Sequence, residues 1–145
     1  MKVFLDTNVL IAASVRQHPH FLRADAVLQK CMTGEEEGII HSHSIFEFHS
    51  AITRLPGGLA VPPIHVHTLL QEGLLPYLRC ISLDFQEIQV VQKTAGEQGL
   101  SGGIIYDLYH LFVAEKESVG RLYTFNTGHF QSIASIGMKE VITSP

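Results

Sequence analysis

Short apolar runs alternate with stretches of helical spacing along the whole chain, and this alternation limits the folds open to it. Lys2 to Leu5, Gly38 to His41, Arg79 to Leu83, Arg121 to Phe125 and Val141-Ile142 read as strands. Between them, apolar residues recur at helical intervals: Val9, Leu10 and Ala13; Leu22, Ala26 and Leu28 within 21–32; Ile45, Phe48, Ile52 and Leu55 within 44–55. Further helices are expected from Pro63 to Leu70, after Asp84, and from Ile104 to Lys116. Proline is tolerated in a first helical turn, Asp84 with Glu87 has the pattern of a capping box, and Gly99 stops the helix that follows. Strands separated by helices imply an α/β domain around a central, mainly parallel sheet. In such sheets ligands bind beyond the carboxyl ends of the strands.

With 145 residues the chain is expected to form one domain, 1–145. Pro56-Gly57-Gly58 reads as a link between two helices. No apolar run approaches the roughly 18 residues of a membrane span. The opening Met1-Lys2-Val3-Phe4-Leu5-Asp6 meets a carboxylate too early for a signal-peptide apolar region. Cys31 and Cys80 each lie in an apolar segment and are expected as buried, reduced thiols. A cytoplasmic protein with no membrane contact is the expectation. The net charge is −4, with 10 Lys and Arg scattered against 14 Asp and Glu. No basic cluster announces a duplex-DNA binder, although acidic groups gathered around a cation would reverse the local field.

Asp6 and Asp107 draw attention because of their company. Asp6 ends the first strand, and Asp107 lies in Ile104-Ile105-Tyr106-Asp107-Leu108, on the helical face of Ile104 and Leu111. An ionised carboxylate directed at the protein body is costly without a partner, and no Lys or Arg lies within a turn of either. A divalent cation would neutralise both, and Mg²⁺ and Mn²⁺ favour oxygen ligands. Plainer readings stay open: a turn residue for Asp6, an ion pair with a distant base for Asp107. Glu47 is a third candidate, although Ser44 and Glu47 also have the spacing of a capping box. Glu35-Glu36-Glu37 reads as a solvated loop. The pairs His41/His43 and His65/His67 match no zinc signature, and no G-x-S-x-G elbow is present.

Three segments together resemble the PIN-domain ribonucleases. Val3-Phe4-Leu5-Asp6-Thr7-Asn8-Val9-Leu10 is similar to their opening strand and its aspartate. Leu100 to Asp107 is similar to the segment where an aspartate begins a helix, and Leu122 to Phe130, with Thr124-Phe125-Asn126, to their last strand. Glu47 falls where the family places a helix-borne glutamate. The likeness runs from residue 3 to about 130, and its wording is similar to VapC-type toxins. It implies a PIN-like three-layer α/β/α domain that cleaves RNA with Mg²⁺ or Mn²⁺ as the toxin of a type II toxin–antitoxin pair. It also implies a homodimer and a cognate antitoxin that inserts a segment near the site. Asp6, Glu47 and Asp107 would be the metal ligands, with Asn126 standing where many members carry a fourth carboxylate. Asn126 and Thr124 would orient water or a ligand, Asn8 would hydrogen-bond Asp6 or the phosphate, and Arg16 and Arg54 are available for backbone phosphates. Because Asn126 carries no charge, a non-catalytic scaffold that binds RNA or protein is the alternative. A haloacid-dehalogenase-like phosphatase would need a second aspartate at the position of Asn8.

Overall fold

In the computed structural model, which describes residues 1–145, the alternation is realised as five parallel strands. They are β1 (Lys2–Leu5), β2 (Glu37–His41), β3 (Leu78–Ile81), β4 (Arg121–Tyr123) and β5 (Ile142–Thr143), in the order β3-β2-β1-β4-β5. The helices are α1 (Thr7–Ser14), α2 (Phe21–Met32), α3 (His43–Ile52), α4 (Pro63–Thr68), α5 (Phe85–Glu97), α6 (Ile104–Lys116), α7 (Thr127–Ile133) and α8 (Ile136–Lys139). None is long and apolar enough to cross a membrane.

The period of two in the strands builds the three layers. Val3, Leu5, Ile40 and Tyr123 face one side, where they pack with α1, α2, α3 and the Leu70 and Leu74 side chains. Phe4, Ile39, Leu122 and Ile142 face the other, against α5, α6, α7 and α8. A sheet buried on both faces explains why its strands read as continuous apolar runs. Gly38 in β2 is required by close approach. A Cβ there would lie 2.8 Å from Cys31 Sγ and closer still to Leu78.

Several boundaries differ from the sequence reading. The third helix ends at Ile52, short of Leu55. Thr53 Oγ1 donates to the His49 carbonyl, and Pro56 disfavours helical backbone just before it. From α4 the chain continues through a wider π-type turn, Leu69–Leu74, and a short 3-10 turn, Leu75–Tyr77, into β3. The strand expected over 79–83 is Leu78–Ile81, and that expected over 121–125 stops at Tyr123. Cys31 is buried, but Cys80, on the edge strand β3, is exposed. Glu36 is not part of a solvated loop. It is 7% exposed, 3.6 Å from Arg121 Nη1, and Glu37 begins β2. The Asp84–Glu87 capping box forms as read, with both reciprocal hydrogen bonds present, and Gly99 ends α5 at φ +66°.

Candidate active site

The strand order reverses direction at β1, which has β2 on one side and β4 on the other. A crevice opens at such a point beyond the carboxyl ends of the strands. Asp6, the residue after β1, and Thr124, the residue after β4, stand there side by side. Asp6 caps α1 and is held by two donors. The Thr7 N–H donates to Oδ1 at 2.7 Å, and the Thr124 hydroxyl donates to Oδ2 at 2.7 Å. Thr124 in turn accepts from the Asn126 N–H at 2.9 Å and from Asn8 Nδ2 at 3.4 Å. Its one proton and both lone pairs are thus used within the protein, and it is fully buried. Thr124 therefore positions Asp6 and has nothing left for a water or ligand. Asn8 bonds Thr124 and the Phe125 N–H, not Asp6 as expected, because the intervening hydroxyl occupies that place.

Glu47 arrives on α3. The capping box expected with Ser44 does not form. The helix begins at His43, one residue before Ser44, so Glu47 lies beyond the first turn. Ser44 Oγ accepts from the His41 N–H instead. This frees Glu47 to turn inward, where its Oε1 comes within 2.8 Å of His110 Nε2. The approach is off the N–H direction, and both atoms remain buried without a proper hydrogen-bond partner. Asp107, on the first turn of α6, completes the group. Asp6, Glu47, Asp107 and Asn126 all line one cavity of about 490 Å³, together with Thr7, Asn8 and residues of α1, α3 and α6. All four site residues read from the sequence are therefore brought together. Arg16 and Arg54 are not among the residues that line it.

Two histidines that approach these carboxylates from outside the cavity lining escaped the sequence reading. His110 is fully buried, 2.8 Å from Glu47 and 3.9 Å from Asp6. His129 Nδ1 on α7 is 3.8 Å from Asp107 Oδ2, mostly in solvent. The signal for His110 was its place in the sequence: it follows Asp107 by three residues, so the two share a face of α6.

The electrostatics reflect crowded acids. Burial raises the Asp6 carboxyl above its ordinary value, against the opposing pull of His110 and Thr124. Burial first, and the Asp6 charge second, push Asp107 up to about 6. Burial opposes a charge on His110, but the Glu47 carboxylate 2.8 Å away, with Asp6 and Asp107, outweighs it and raises the imidazole above its ordinary value.

Whether these residues suit a divalent cation is a question of donors. Hard carboxylate oxygens predominate, Glu47 Oε1 is buried and unsatisfied, and no Lys or Arg lines the cavity. No three His, Cys, Asp or Glu side chains are drawn into a finished metal cage. The donor chemistry fits Mg²⁺ or Mn²⁺.

The PIN-domain family profile matches residues 3–136. The chain belongs to the PIN-domain family. Solved structures with the same fold include Mycobacterium tuberculosis VapC20, described as a Sarcin-Ricin loop cleaving toxin. It is 15% identical, with a TM-score of 0.70 over 99% of both chains. VapBC2 of Rickettsia felis, bound to a DNA fragment from its promoter, is 18% identical, with a TM-score of 0.66 over 100% of this chain and 99% of that one. FitAcB from Neisseria gonorrhoeae is 20% identical, with a TM-score of 0.62 over 90% of this chain and 92% of that one. No curated protein sequence matches this PIN domain closely enough to count as a relative.

Proposed function

We propose that this PIN domain is an endoribonuclease that hydrolyses RNA phosphodiester bonds with Mg²⁺ or Mn²⁺, as the toxin of a type II toxin–antitoxin pair. The observation that carries the reading is the convergence of Asp6, Glu47 and Asp107 on one cavity that holds no lysine or arginine. Support for the biological role comes from neighbours in fold: a toxin that cleaves the Sarcin-Ricin loop and toxin–antitoxin complexes on DNA. The partners would be an RNA substrate, a cognate antitoxin and a second copy of the chain as a homodimer, acting in the cytoplasm.

Asp6, Glu47 and Asp107 would hold the cation. When bound, it lowers the pKa of a coordinated water and offsets charge developing on the phosphate. The protein's own contribution is positional. Thr7 and Thr124 fix both Asp6 oxygens, so that carboxylate cannot rotate away. His110 stands 2.8 Å from Glu47 and 3.9 Å from Asp6, and its raised imidazole sets a positive charge beside the acids. Asp107, at about 6, is mostly ionised at neutral pH and able to bind a cation. Asn126 adds an uncharged polar group to the lining.

Asp6→Asn is expected to abolish Mn²⁺-dependent RNA cleavage while leaving the circular dichroism spectrum unchanged. Full cleavage by that variant would refute the assignment. A second reading, the non-catalytic scaffold, draws on the uncharged Asn126 in the lining and the net charge of −4. Calorimetry with Mn²⁺ separates the two, since wild-type protein that takes up no Mn²⁺ would favour the scaffold.

A further inference from the structure

The cavity sets a problem that its carboxylates do not solve. It must receive a polyanion, yet its lining has no lysine or arginine, and the chain as a whole carries −4. Attraction to phosphates, the usual source of nucleic-acid affinity, is therefore weak at this mouth. The lining offers something else on the side of α3 and α6. His43 and Phe46, three residues apart on α3, and Tyr106 on α6 all border the cavity that holds Asp6, Glu47 and Asp107. The His43 and Tyr106 rings are already stacked, with centroids 4.4 Å apart and planes at 17°. The Phe46 ring stands edge-on to His43 at 6.4 Å and 72°.

Phe46 is the telling residue. Its side chain is 74% exposed, whereas Phe48, two positions on, is fully buried. A single exposed apolar side chain is unremarked on a protein surface. Here, however, the exposed ring precedes Glu47 directly and shares a rim with Tyr106, which is 44% exposed. Uncharged aromatic faces beside a phosphate-handling centre are suited to the planar face of a base.

We infer that His43, Phe46 and Tyr106 form a stacking platform for one unpaired nucleobase of the RNA, next to the phosphate that the carboxylates address. The inference rests on the nuclease reading and narrows its substrate class. Only a base outside a duplex has a face free to stack, so the site takes single-stranded or bulged RNA. Because stacking replaces phosphate contacts, affinity falls only shallowly with salt.

The chain contains no tryptophan, so Phe46→Trp installs a single reporter on the rim. The probes are a mixed-sequence single-stranded oligoribonucleotide and an abasic ribose-phosphate chain of equal length, titrated in Mn²⁺. The expected result is quenching by the first and little by the second. Phe46→Ala should raise KM for the oligoribonucleotide about tenfold, the range of one lost base–aromatic stack, with kcat less affected and Mn²⁺ affinity unchanged. Equal quenching by both chains, or an unaltered KM in Phe46→Ala, would overturn the platform while leaving the nuclease standing. Failure of wild-type protein to cut RNA at all would remove the nuclease reading, and absence of base-dependent quenching alongside it would remove the platform too.

Discussion

At the amino-terminal edge of the sheet, Glu36, Glu37 and Glu117 are each paired with a cation. Arg79 bridges Glu37 at 2.9 Å and Glu117, Lys2 approaches Glu117 at 3.8 Å, and Arg121 stands 3.6 Å from the buried Glu36. At the carboxyl edge, Asp6, Glu47 and Asp107 face one cavity with only histidines near them. The strands are parallel, so each edge repeats one strand end, and the local geometry does not explain the difference. What differs is charge balance. Neutralised acids add little repulsion to the fold, whereas unneutralised ones repel one another in a way that a cation from outside the chain can relieve. The contrast locates function without recourse to any motif.

Asp107→Asn is expected to break this contrast most sharply. Cleavage in Mn²⁺ should fall by about a hundredfold or more, the scale of losing one preorganised electrostatic group. At the same time the metal-free protein should melt no lower than wild type, and at neutral pH higher. The ionised Asp107 is opposed by burial and by Asp6, and an isosteric amide removes that conflict. Differential scanning calorimetry without metal provides the check. A lower melting temperature would show that the acids are not in conflict.

Mn²⁺ itself comes next in size. Ligand bound only to the folded state at 100 times its Kd stabilises by about 2.7 kcal/mol, which for a chain of this length is a rise on the order of 5–10 °C. The rise should be absent in Asp6→Asn. No cation should give a comparable rise through the other edge, whose carboxylates are already paired.

The pH dependence of the metal-free protein is a smaller effect, and its sign is fixed by the raised groups. Asp107 goes from 3.8 unfolded to about 6 folded, so between those values the folded state holds more protons. Stability therefore falls as pH rises from about 4 to 6. His110 is raised above 6.5; its contribution is complete below that value and is lost as pH climbs through the folded pKa. Both slopes point the same way, so metal-free stability declines from acid to neutral pH. Saturating Mn²⁺ should flatten or reverse the decline, because cation and proton compete for the same oxygens. Urea melts at pH 4.5, 6 and 7.5, with and without Mn²⁺, measure it.

Much of this arrangement was legible beforehand. β1 and Asp6 could be read because an apolar run stops abruptly at a carboxylate, and Asp107 because no Lys or Arg lay within a turn of it. Glu47 stood as a candidate beside a capping role, and the family likeness favoured it. Its local sequence pointed to a capping box, and the alternative depends on where α3 starts, a one-residue matter that spacing cannot decide. His110 was missed because histidines were weighed as metal pairs close in sequence. Its partners, Glu47 and Asp6, come from α3 and the end of β1, and only the fold brings them within reach. Glu36 was misread for the same reason, since its counter-charge, Arg121, is distant in the chain.

The smallest expected effect tests the quiet edge. Arg79 is exposed at 42% of its side chain, and surface ion pairs are worth about 0–1 kcal/mol, less in salt. Arg79→Ala releases Glu37 and leaves Glu117 with Lys2 alone, so its melting temperature should fall by no more than about 2–4 °C. The drop should shrink in about 0.5 M salt, where the Debye length is about 4 Å. RNA cleavage and Mn²⁺ affinity should stay at wild-type values, since no atom of Arg79 reaches the cavity. A parallel loss of Mn²⁺ affinity would mean that charge at one edge is felt at the other through the sheet, and the two ends would have to be treated as one electrostatic unit.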